Sequence, residues 1–271
     1  MDELTLIERS IIKKFRKQLW NRFIEAVQNY ELINKGDKIA VCISGGKDSF
    51  LMAKLLEELM RHGHTSFSLE YIVMNPGYNA ENLEKIKQNG EKLGLPLRIF
   101  ESDIFKVTES VGGNPCYLCA RMRRGHLYSY AQKIGCNKIA LGHHFDDAVE
   151  TVLMSMLYSG QINAMLPKLH STNFEGMQLI RPLYCIREED IKAWAAYNNL
   201  SFIACACRLT SSAARGDLFS YRLKVKQLIK DLKADDPLVD INIFKSVHNI
   251  NLNKIIGYSK DGRRRSFLDE Y

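Results

Sequence analysis

An apolar run, a glycine-rich turn and an amphipathic segment follow one another directly between residues 38 and 60. The run 38–43, Lys-Ile-Ala-Val-Cys-Ile, is continuous rather than alternating, which is typical of a strand buried on both faces. After the turn, apolar residues return at helical spacing, at Leu51, Met52, Leu55, Leu56, Leu59 and Met60. A buried strand that passes through glycines into a helix indicates a βα unit of a parallel sheet.

The same alternation continues along the chain. Further strands are predicted at 68–74, 97–100 and 138–141, and further helices at 80–93, near 117–134 and around 149–157. Helices between successive strands cover both faces of a sheet, so we predict an α/β fold with a doubly wound parallel sheet. Ligands of such folds bind at the carboxyl ends of the strands, which here are the loops after residues 43, 74 and 141.

Helical patterns flank this region on both sides. Residues 4–33 carry apolar residues at every third or fourth position and are predicted to form one amphipathic helix. Beyond residue 208 the strand signals fade, helices are predicted near 215–233 and 238–250, and Asp261–Arg265 is predicted to be a basic tail. We therefore divide the chain into an N-terminal helix at 1–34, a catalytic domain at 35–208 and a helical C-terminal region at 209–271.

Composition limits the class of protein. The 271 residues are 46% hydrophobic and 25% charged, which is typical of a globular protein rather than a collagen-like or disordered one. No run approaches the roughly 18 apolar residues that span a bilayer, and the acidic start Met1-Asp2-Glu3 is unlike a secretory signal. We expect a cytoplasmic protein with no membrane partner. The net charge of +7 is compatible with a polyanionic partner.

The turn at 44–49, Ser-Gly-Gly-Lys-Asp-Ser, has the chemistry of a phosphate site. Two glycines let the backbone approach an anion, and the N–H groups that follow point out of a helix N-terminus. The turn matches neither the Walker pattern G-x-x-x-x-G-K-[ST] nor the dinucleotide fingerprint G-x-G-x-x-G. The residues predicted to bind the phosphates of a nucleotide are Ser44, Gly45, Gly46, Lys47, Asp48 and Ser49.

A second polar segment, Leu-Gly-His-His-Phe-Asp-Asp at 141–147, lies where the fourth predicted strand becomes a helix. Gly142 is expected to permit close backbone approach to a nucleotide. Helix capping is one interpretation of Asp146, because carboxylates at a helix N-terminus interact favourably with the helix dipole. Paired carboxylates beside a phosphate loop are also the hard oxygen ligands that Mg²⁺ shares with nucleotides.

Seven cysteines occur, at positions 42, 116, 119, 136, 185, 205 and 207. An odd number in a reducing compartment argues against a disulfide framework. Cys116 and Cys119 form a C-x-x-C pair, and Cys205 and Cys207 form a C-x-C pair. A redox pair, a four-thiolate zinc site and an iron–sulfur cluster all suit these thiols, and spacing alone does not choose among them. The other three cysteines are expected to be buried, inert thiols.

The turn at 44–49 resembles the signature of the PP-loop (N-type) ATP pyrophosphatases. Members of that family cleave ATP between the α- and β-phosphates and activate a carbonyl oxygen as an adenylate. The resemblance implies the adenine nucleotide α-hydrolase-like (HUP) fold, with the turn holding the pyrophosphate portion of ATP. The segment 141–147 resembles the second nucleotide motif of the family, which implies Asp147 as a catalytic residue beside Lys47 of the turn. Met74 and Gly142 are predicted ATP contacts, because ligands bind at the carboxyl ends of the strands.

Four motifs, at 115–125, 141–147, 165–169 and 180–183, occur in the order seen in the tRNA 2-thiocytidine synthetases, and the resemblance covers about residues 10 to 208. It implies an ATP-dependent tRNA sulfurtransferase, which adenylates the C2 oxygen of a pyrimidine such as cytidine and replaces it with sulfur. It also implies a [4Fe-4S] cluster on three cysteines, namely Cys116, Cys119 and one of Cys205 and Cys207. The family has C-x-x-C where this chain has C-x-C, so both later cysteines stay candidates.

Partners and rival functions complete the prediction. Arg121, Arg123 and Arg124 follow the first cysteine pair and are predicted to bind RNA, because clustered guanidiniums suit phosphates; the basic tail is a weaker candidate. The resemblance implies ATP, Mg²⁺ and the cluster as cofactors, tRNA and a sulfur donor (sulfide or a cysteine desulfurase system) as partners, and a homodimer.

One rival function is that of a zinc-stapled PP-loop ligase that adds an amine to RNA or a small molecule. The other is a non-catalytic RNA-binding protein with a vestigial loop.

Overall fold

The computed structural model describes residues 2–102, 115–203 and 217–270, with the backbone alone at 115–121, 217–220 and 270. Its centre is a sheet of six strands in the order β3-β2-β1-β4-β6-β5. The strands are β1 (Lys38–Cys42), β2 (Ser68–Asn75), β3 (Leu97–Glu101), β4 (Lys138–Ala140), β5 (Lys168–His170) and β6 (Gln178–Ile180). All neighbouring strands of this sheet run parallel except β5, which is antiparallel to β6.

Helices cover both faces of the sheet. They are α1 (Glu3–Ile12), α2 (Asn21–Asn29), α3 (Lys47–His62), α4 (Ala80–Lys92), α5 (Pro115–Lys133), α6 (Phe145–Ser159), α7 (Glu188–Tyr197), α8 (Asp217–Asp235) and α9 (Val239–Ser246). Among the described helices, none combines the length and the apolar character that a bilayer crossing requires.

Strand β1 is the centre of the fold, and its two faces pack into different clusters. Ile39 and Val41 pack with α1, α2, α3 and α7, whereas Ala40 and Cys42 pack with the apolar side chains of α5. Ile39, Ala40 and Val41 are completely buried, as the continuous apolar run predicts.

The strand order reverses at β1, because β2 and β3 extend the sheet on one side and β4, β6 and β5 extend it on the other. Val41 pairs with Tyr71 of β2 and with Ala140 of β4. Such a reversal opens a crevice at the carboxyl ends of the two central strands. The predicted doubly wound sheet is confirmed, and its crevice lies at the loops after residues 43 and 141.

The single helix predicted for 4–33 is instead α1, a π-helical segment at Arg16–Trp20 and α2. The buried residues Ile7, Ile11, Phe15, Leu19 and Phe23 are spaced by four. A regular helix would turn each successive member of this series about 40° away from the core. The wider turn, in which the N–H of Phe15 donates to the carbonyl of Ser10, restores the buried face.

The C-terminal region departs from the prediction at its end. Helices α8 and α9 match the predicted helices, but 261–265 is not a tail. Gly257–Lys260 (β7) and Arg263–Ser266 (β8) form an antiparallel hairpin. Asp261 and Gly262, between the strands, have φ of 52° and 75°, as a type I′ turn requires. The Asp-Gly dipeptide was the available signal for this hairpin.

Candidate functional site

A cavity of about 310 Å³ opens at the reversal of strand order. The loops predicted from the sequence contribute to it together. Its lining comprises Cys42, Ile43, Ser44, Asp48, Ser49, Met74, Tyr78, Arg123, Leu127, Leu141, Gly142, His143 and Asp147. Residues from the ends of β1, β2 and β4 therefore meet in one place, as the sheet topology requires.

The glycine-rich turn is held in shape by its own hydrogen bonds. The Ser49 hydroxyl donates to the Gly46 carbonyl at 2.8 Å and accepts from the Ser44 N–H at 3.2 Å. Gly45 has φ of 89°, and a Cβ there would lie 2.4 Å from the Ile203 side chain. The first N–H groups of α3 have no intrahelical acceptor. With Asp48 and Ser49 in the cavity wall, this helix start faces the space where a phosphate would bind.

Gly142 allows two protein segments to approach each other. A Cβ at this position would lie 3.2 Å from the backbone carbon of Asp48 and 3.2 Å from the backbone nitrogen of Ser49. The sequence predicts that this glycine allows close approach to a nucleotide. The structure adds a second role, because the absence of a Cβ lets the loop after β4 pack against the start of α3. Its role as an ATP contact stays a prediction.

Both carboxylate oxygens of Asp147 are engaged. The His144 N–H donates to Oδ2 at 3.0 Å, and Nη2 of Arg222 donates to Oδ1 at 2.8 Å. Burial disfavours the charged carboxylate, but His144 and Arg222 outweigh burial and lower the pKa of Asp147 below its usual value. The side chain is ionised and held in a fixed position at the cavity wall.

The capping roles of the two aspartates differ from the prediction. Asp147, not Asp146, forms the capping box of α6 with His144. Asp146 instead accepts a hydrogen bond of 2.7 Å from the N–H of Glu188, the first residue of α7. Asp146 therefore joins two helix starts, and Asp147 is the carboxylate that lines the cavity.

The Lys47 ammonium lies between two carboxylates, 3.2 Å from Asp48 and 3.3 Å from Glu188. Glu188 also contacts Lys226 at 2.7 Å and Lys192 at 3.0 Å. Burial raises the pKa of Glu188, but the surrounding lysines prevail and lower it to about 2. Lys47 is thus a charged side chain whose present partners a phosphate could replace.

Sequence reasoning missed the contribution of α8. Arg222 contacts Asp147 and also Glu150, whose Oε2 lies 2.7 Å from its Nε. Lys226, one helical turn later, reaches Glu188. A second cavity of about 260 Å³ lies between these residues and Lys47. The i, i+4 spacing of Arg222 and Lys226 was visible in the sequence, but nothing local indicated which carboxylates they meet.

His143 lines the cavity as a neutral side chain. Burial, followed by the nearby Arg181, lowers its pKa to about 4. Its Nδ1 is buried and has no hydrogen-bond partner among the described residues. A buried ring nitrogen of this kind can bond to a ligand in the cavity.

The cysteine-bearing helix borders the cavity. Arg123 and Leu127 of α5 line it, and Arg124 is exposed at the next position. Cys116, Cys119 and Arg121 lie in the first turns of α5, where only the backbone is described. Helical spacing places positions 116, 119 and 123 on one face of α5. The C-x-x-C pair thus occupies the helix face that also carries Arg123.

The remaining cysteines divide into two groups. Cys205 and Cys207 lie outside the described residues. Cys42 and Cys136 are buried free thiols, as expected, and Cys185 is partly buried. Burial raises the pKa of Cys136 to about 11, which makes its thiolate scarce. The described side chains include no group of three or more His, Cys, Asp or Glu arranged to hold a metal ion, and the four candidates for the three cluster ligands are not among these side chains.

Comparison with known proteins gives a consistent set of relatives. A family model described as a PP-loop domain matches residues 13–215. The tRNA-cytidine(32) 2-sulfurtransferase of Citrifermentans bemidjiense is 32% identical, over 92% of this chain and 94% of the relative. The enzyme of the same name from Bdellovibrio bacteriovorus is 35% identical, over 92% and 93%. Among solved structures, the U34-tRNA thiolase NcsA from Methanococcus maripaludis with its [4Fe-4S] cluster shares the fold, with a TM-score of 0.68 and 23% identity over 85% of this chain and 79% of that chain.

Proposed function

The chain belongs to the PP-loop family, in the group of the tRNA-cytidine(32) 2-sulfurtransferases, and on that premise we propose that it thiolates a cytidine of tRNA at the expense of ATP. In the first step the C2 oxygen of the base attacks the α-phosphate and pyrophosphate leaves. In the second step a sulfur nucleophile attacks C2 and AMP leaves with the original oxygen. Cytidine 32 is the position that the names of the relatives give.

One observation carries this proposal: the glycine-rich turn, Met74, the 142–147 segment and the cysteine-bearing helix all contribute to one cavity. A nucleotide on the turn would therefore lie beside the helix that bears the first thiol pair. The zinc-stapled ligase has the same nucleotide site, but it lacks support from relatives, whose names specify sulfur transfer. The intact turn and the ionised Asp147 likewise favour an enzyme over a binding protein.

The turn would stabilise the charge that develops on the leaving pyrophosphate. Ser44, Gly45, Gly46, Asp48 and Ser49 present hydroxyl or backbone N–H groups at the start of α3, where the helix dipole favours anions. Lys47 would exchange its contact with Glu188 for a phosphate oxygen. Fixed donors of this kind act on the transition state without reorganising during the reaction.

Asp147 would hold Mg²⁺ on the ATP. Its carboxylate is ionised and faces the cavity, and a hard anionic oxygen is the ligand type that Mg²⁺ prefers. Magnesium bound there would neutralise phosphate charge and polarise the α-phosphate toward attack. Arg222, which now occupies Oδ1, would keep this carboxylate oriented.

The thiols would supply the sulfur step. Cys116, Cys119 and either Cys205 or Cys207 would hold an iron–sulfur cluster, which accepts thiolate ligands readily. A cluster there would supply sulfur as a nucleophile for C2 of the base. Sulfide or a cysteine desulfurase system would replenish this sulfur. Arg121, Arg123 and Arg124 would contact the RNA. The protein would act as a homodimer in the cytoplasm.

The experiment is anaerobic purification followed by iron and sulfide analysis and by nucleoside analysis of tRNA after reaction with ATP and sulfide. We expect a brown protein that forms 2-thiocytidine. Cys116→Ala should lose iron and thiolation together, whereas Cys136→Ala, which removes a buried thiol from the core, should keep both. A colourless protein that contains stoichiometric zinc and forms no thiolated nucleoside would rule the proposal out.

A further inference from the structure

The β7–β8 hairpin carries a concentration of positive charge that the proposed reaction does not use. Residues 254–265 contain five basic residues and one acidic residue, Asp261. The basic residues are Lys254, Lys260, Arg263, Arg264 and Arg265. All five are exposed, and within the described parts of the chain none forms an ion pair or a side-chain hydrogen bond.

The register of the hairpin sorts these residues by face. Tyr258 pairs with Arg265, and Lys260 pairs with Arg263. Paired residues share a face and alternate residues along a strand do so too. Tyr258, Lys260, Arg263 and Arg265 therefore form one surface, here called the basic face, and Arg264 lies on the opposite surface. Lys260 directly opposite Arg263 is a like-charge pair, which destabilises a hairpin that has no bound counter-anion.

The basic face is connected to the active site through α6. The first turn of this helix contributes Asp147 to the ATP cavity, and Gly160 caps its C-terminal end. Gly160 lines a groove together with Tyr258, Lys260 and Arg265, and Arg264 reaches the same groove from the opposite surface of the hairpin. At 1.5 Å per residue, the 15-residue helix separates the two sites by about 20 Å. A nucleotide in the ATP cavity cannot reach this groove. An anion bound in the groove therefore belongs to a different molecule or to a much longer one.

We propose that the basic face binds the phosphate backbone of the tRNA substrate, about 20 Å from the base that is modified. This inference rests on the proposed function for the identity of the RNA. Guanidinium groups make paired hydrogen bonds to phosphate oxygens, and a lysine adds a point charge. Such contacts fix the position of an RNA stem without reading its sequence, and they leave base recognition to the catalytic cavity.

The test compares two double variants that each remove two positive charges. R263Q/R265Q alters the basic face, and K245Q/K254Q removes two exposed lysines that lie outside the hairpin and do not line the groove. Binding to unmodified tRNA is measured by fluorescence anisotropy over a series of salt concentrations. We expect R263Q/R265Q to weaken binding on the order of tenfold and to reduce the salt slope by about two, while K245Q/K254Q stays close to the wild-type protein.

Thiolation kinetics separate this inference from the proposed function. R263Q/R265Q should raise the KM for tRNA and leave kcat unchanged, because the ATP cavity is intact. Equal losses in the two double variants would reduce the effect to net charge and overturn the basic face, as would unchanged binding in both. A wild-type protein that thiolates no tRNA would instead defeat the proposed function itself, whatever the hairpin variants do.

Discussion

Asp147 has two structural contacts in addition to its proposed role in catalysis. It caps α6 through the His144 N–H, and it pairs with Arg222 of α8. The sequence indicated this residue through its resemblance to a nucleotide motif, whereas Arg222 lies 75 positions away. No periodicity or spacing encodes a contact over that distance, which is why the carboxylate could be predicted and its partner could not.

We expect Asp147→Asn to abolish most ATP chemistry, with kcat for pyrophosphate release falling by about 10² or more. The amide keeps an acceptor for the His144 N–H, so α6 should stay capped, but it removes the charge that would hold Mg²⁺. Asp146→Asn is the matched control, because Asp146 caps α7 and does not line the cavity. Similar kinetic losses in both variants would show that the effect is structural.

His143 should make the folded state sensitive to acid. Its pKa falls from 6.5 to about 4 on folding. Between these two pH values the imidazole binds a proton in the unfolded chain but not in the folded chain. Stability is therefore lost as the pH falls from about 6.5 to about 4. Asp147, whose pKa is lowered, also loses its stabilising contribution in acid, but only at lower pH, as it becomes protonated.

Urea unfolding across this pH range measures the effect. His143→Gln should flatten the dependence of unfolding free energy on pH, because glutamine binds no proton. The control is His62→Gln, which removes an imidazole from a side chain that is 68% exposed; an equal flattening in both variants would show that the effect is not specific to His143. An unchanged slope in His143→Gln would mean that the imidazole is already accessible to protons in the folded state.

At the scale of elements, most of the α/β core could be predicted because local pattern and fold agree. The continuous apolar run of β1 and the stripes of α3 and α6 are period signals that survive in three dimensions. No prediction covered β5 and β6, which have only three residues each, or α7. Two further differences between prediction and structure have local causes. Apolar residues spaced by four are also typical of a regular helix, so the π-helical segment was not predicted. The three consecutive arginines were interpreted as a basic tail, although the Asp-Gly dipeptide before them is typical of a hairpin turn.

Gly142 joins two elements, and its substitution tests that junction. Gly142→Ala would bring a methyl group within 3.2 Å of the backbone at Asp48 and Ser49, where α3 cannot yield as a side chain would. We expect a loss of about 1–3 kcal/mol of stability, and weaker ATP binding by calorimetry because the start of α3 shifts.

A second glycine supplies the control for this prediction. Gly125 lies inside α5, and a Cβ there would meet nothing within 4 Å. Gly125→Ala should therefore be neutral or stabilising by about 0.5–1 kcal/mol. Wild-type ATP affinity in Gly142→Ala would show that the contact between the β4 loop and α3 does not shape the nucleotide site.

At the scale of the whole molecule, the described residues of 209–271 make side-chain contacts with the catalytic domain predicted at 35–208. Arg222 and Lys226 reach carboxylates of α6 and α7, and Arg187 pairs with Asp240 of α9. Phe244 of α9 packs between Phe145, at the start of α6, and Tyr184. The boundary at residue 208 was placed where the sequence stops predicting strands. Such a pattern indicates local secondary structure, but it does not indicate how the C-terminal helices pack against the catalytic domain.

Phe244→Ala tests whether the C-terminal helices and the catalytic core unfold as one unit. The ring lies 4.8 Å from that of Phe145 and 5.2 Å from that of Tyr184, so truncation removes a partly buried contact worth about 2 kcal/mol. If α8 and α9 are integral, calorimetry should show a single transition at lower temperature, and loosened Arg222 should reduce pyrophosphate release as well. Phe267→Ala, at a ring that is 50% exposed, should change neither. A separate low-temperature transition with unchanged ATP turnover would instead make 209–271 an independent domain, and the contact between Arg222 and Asp147 would then be incidental to catalysis.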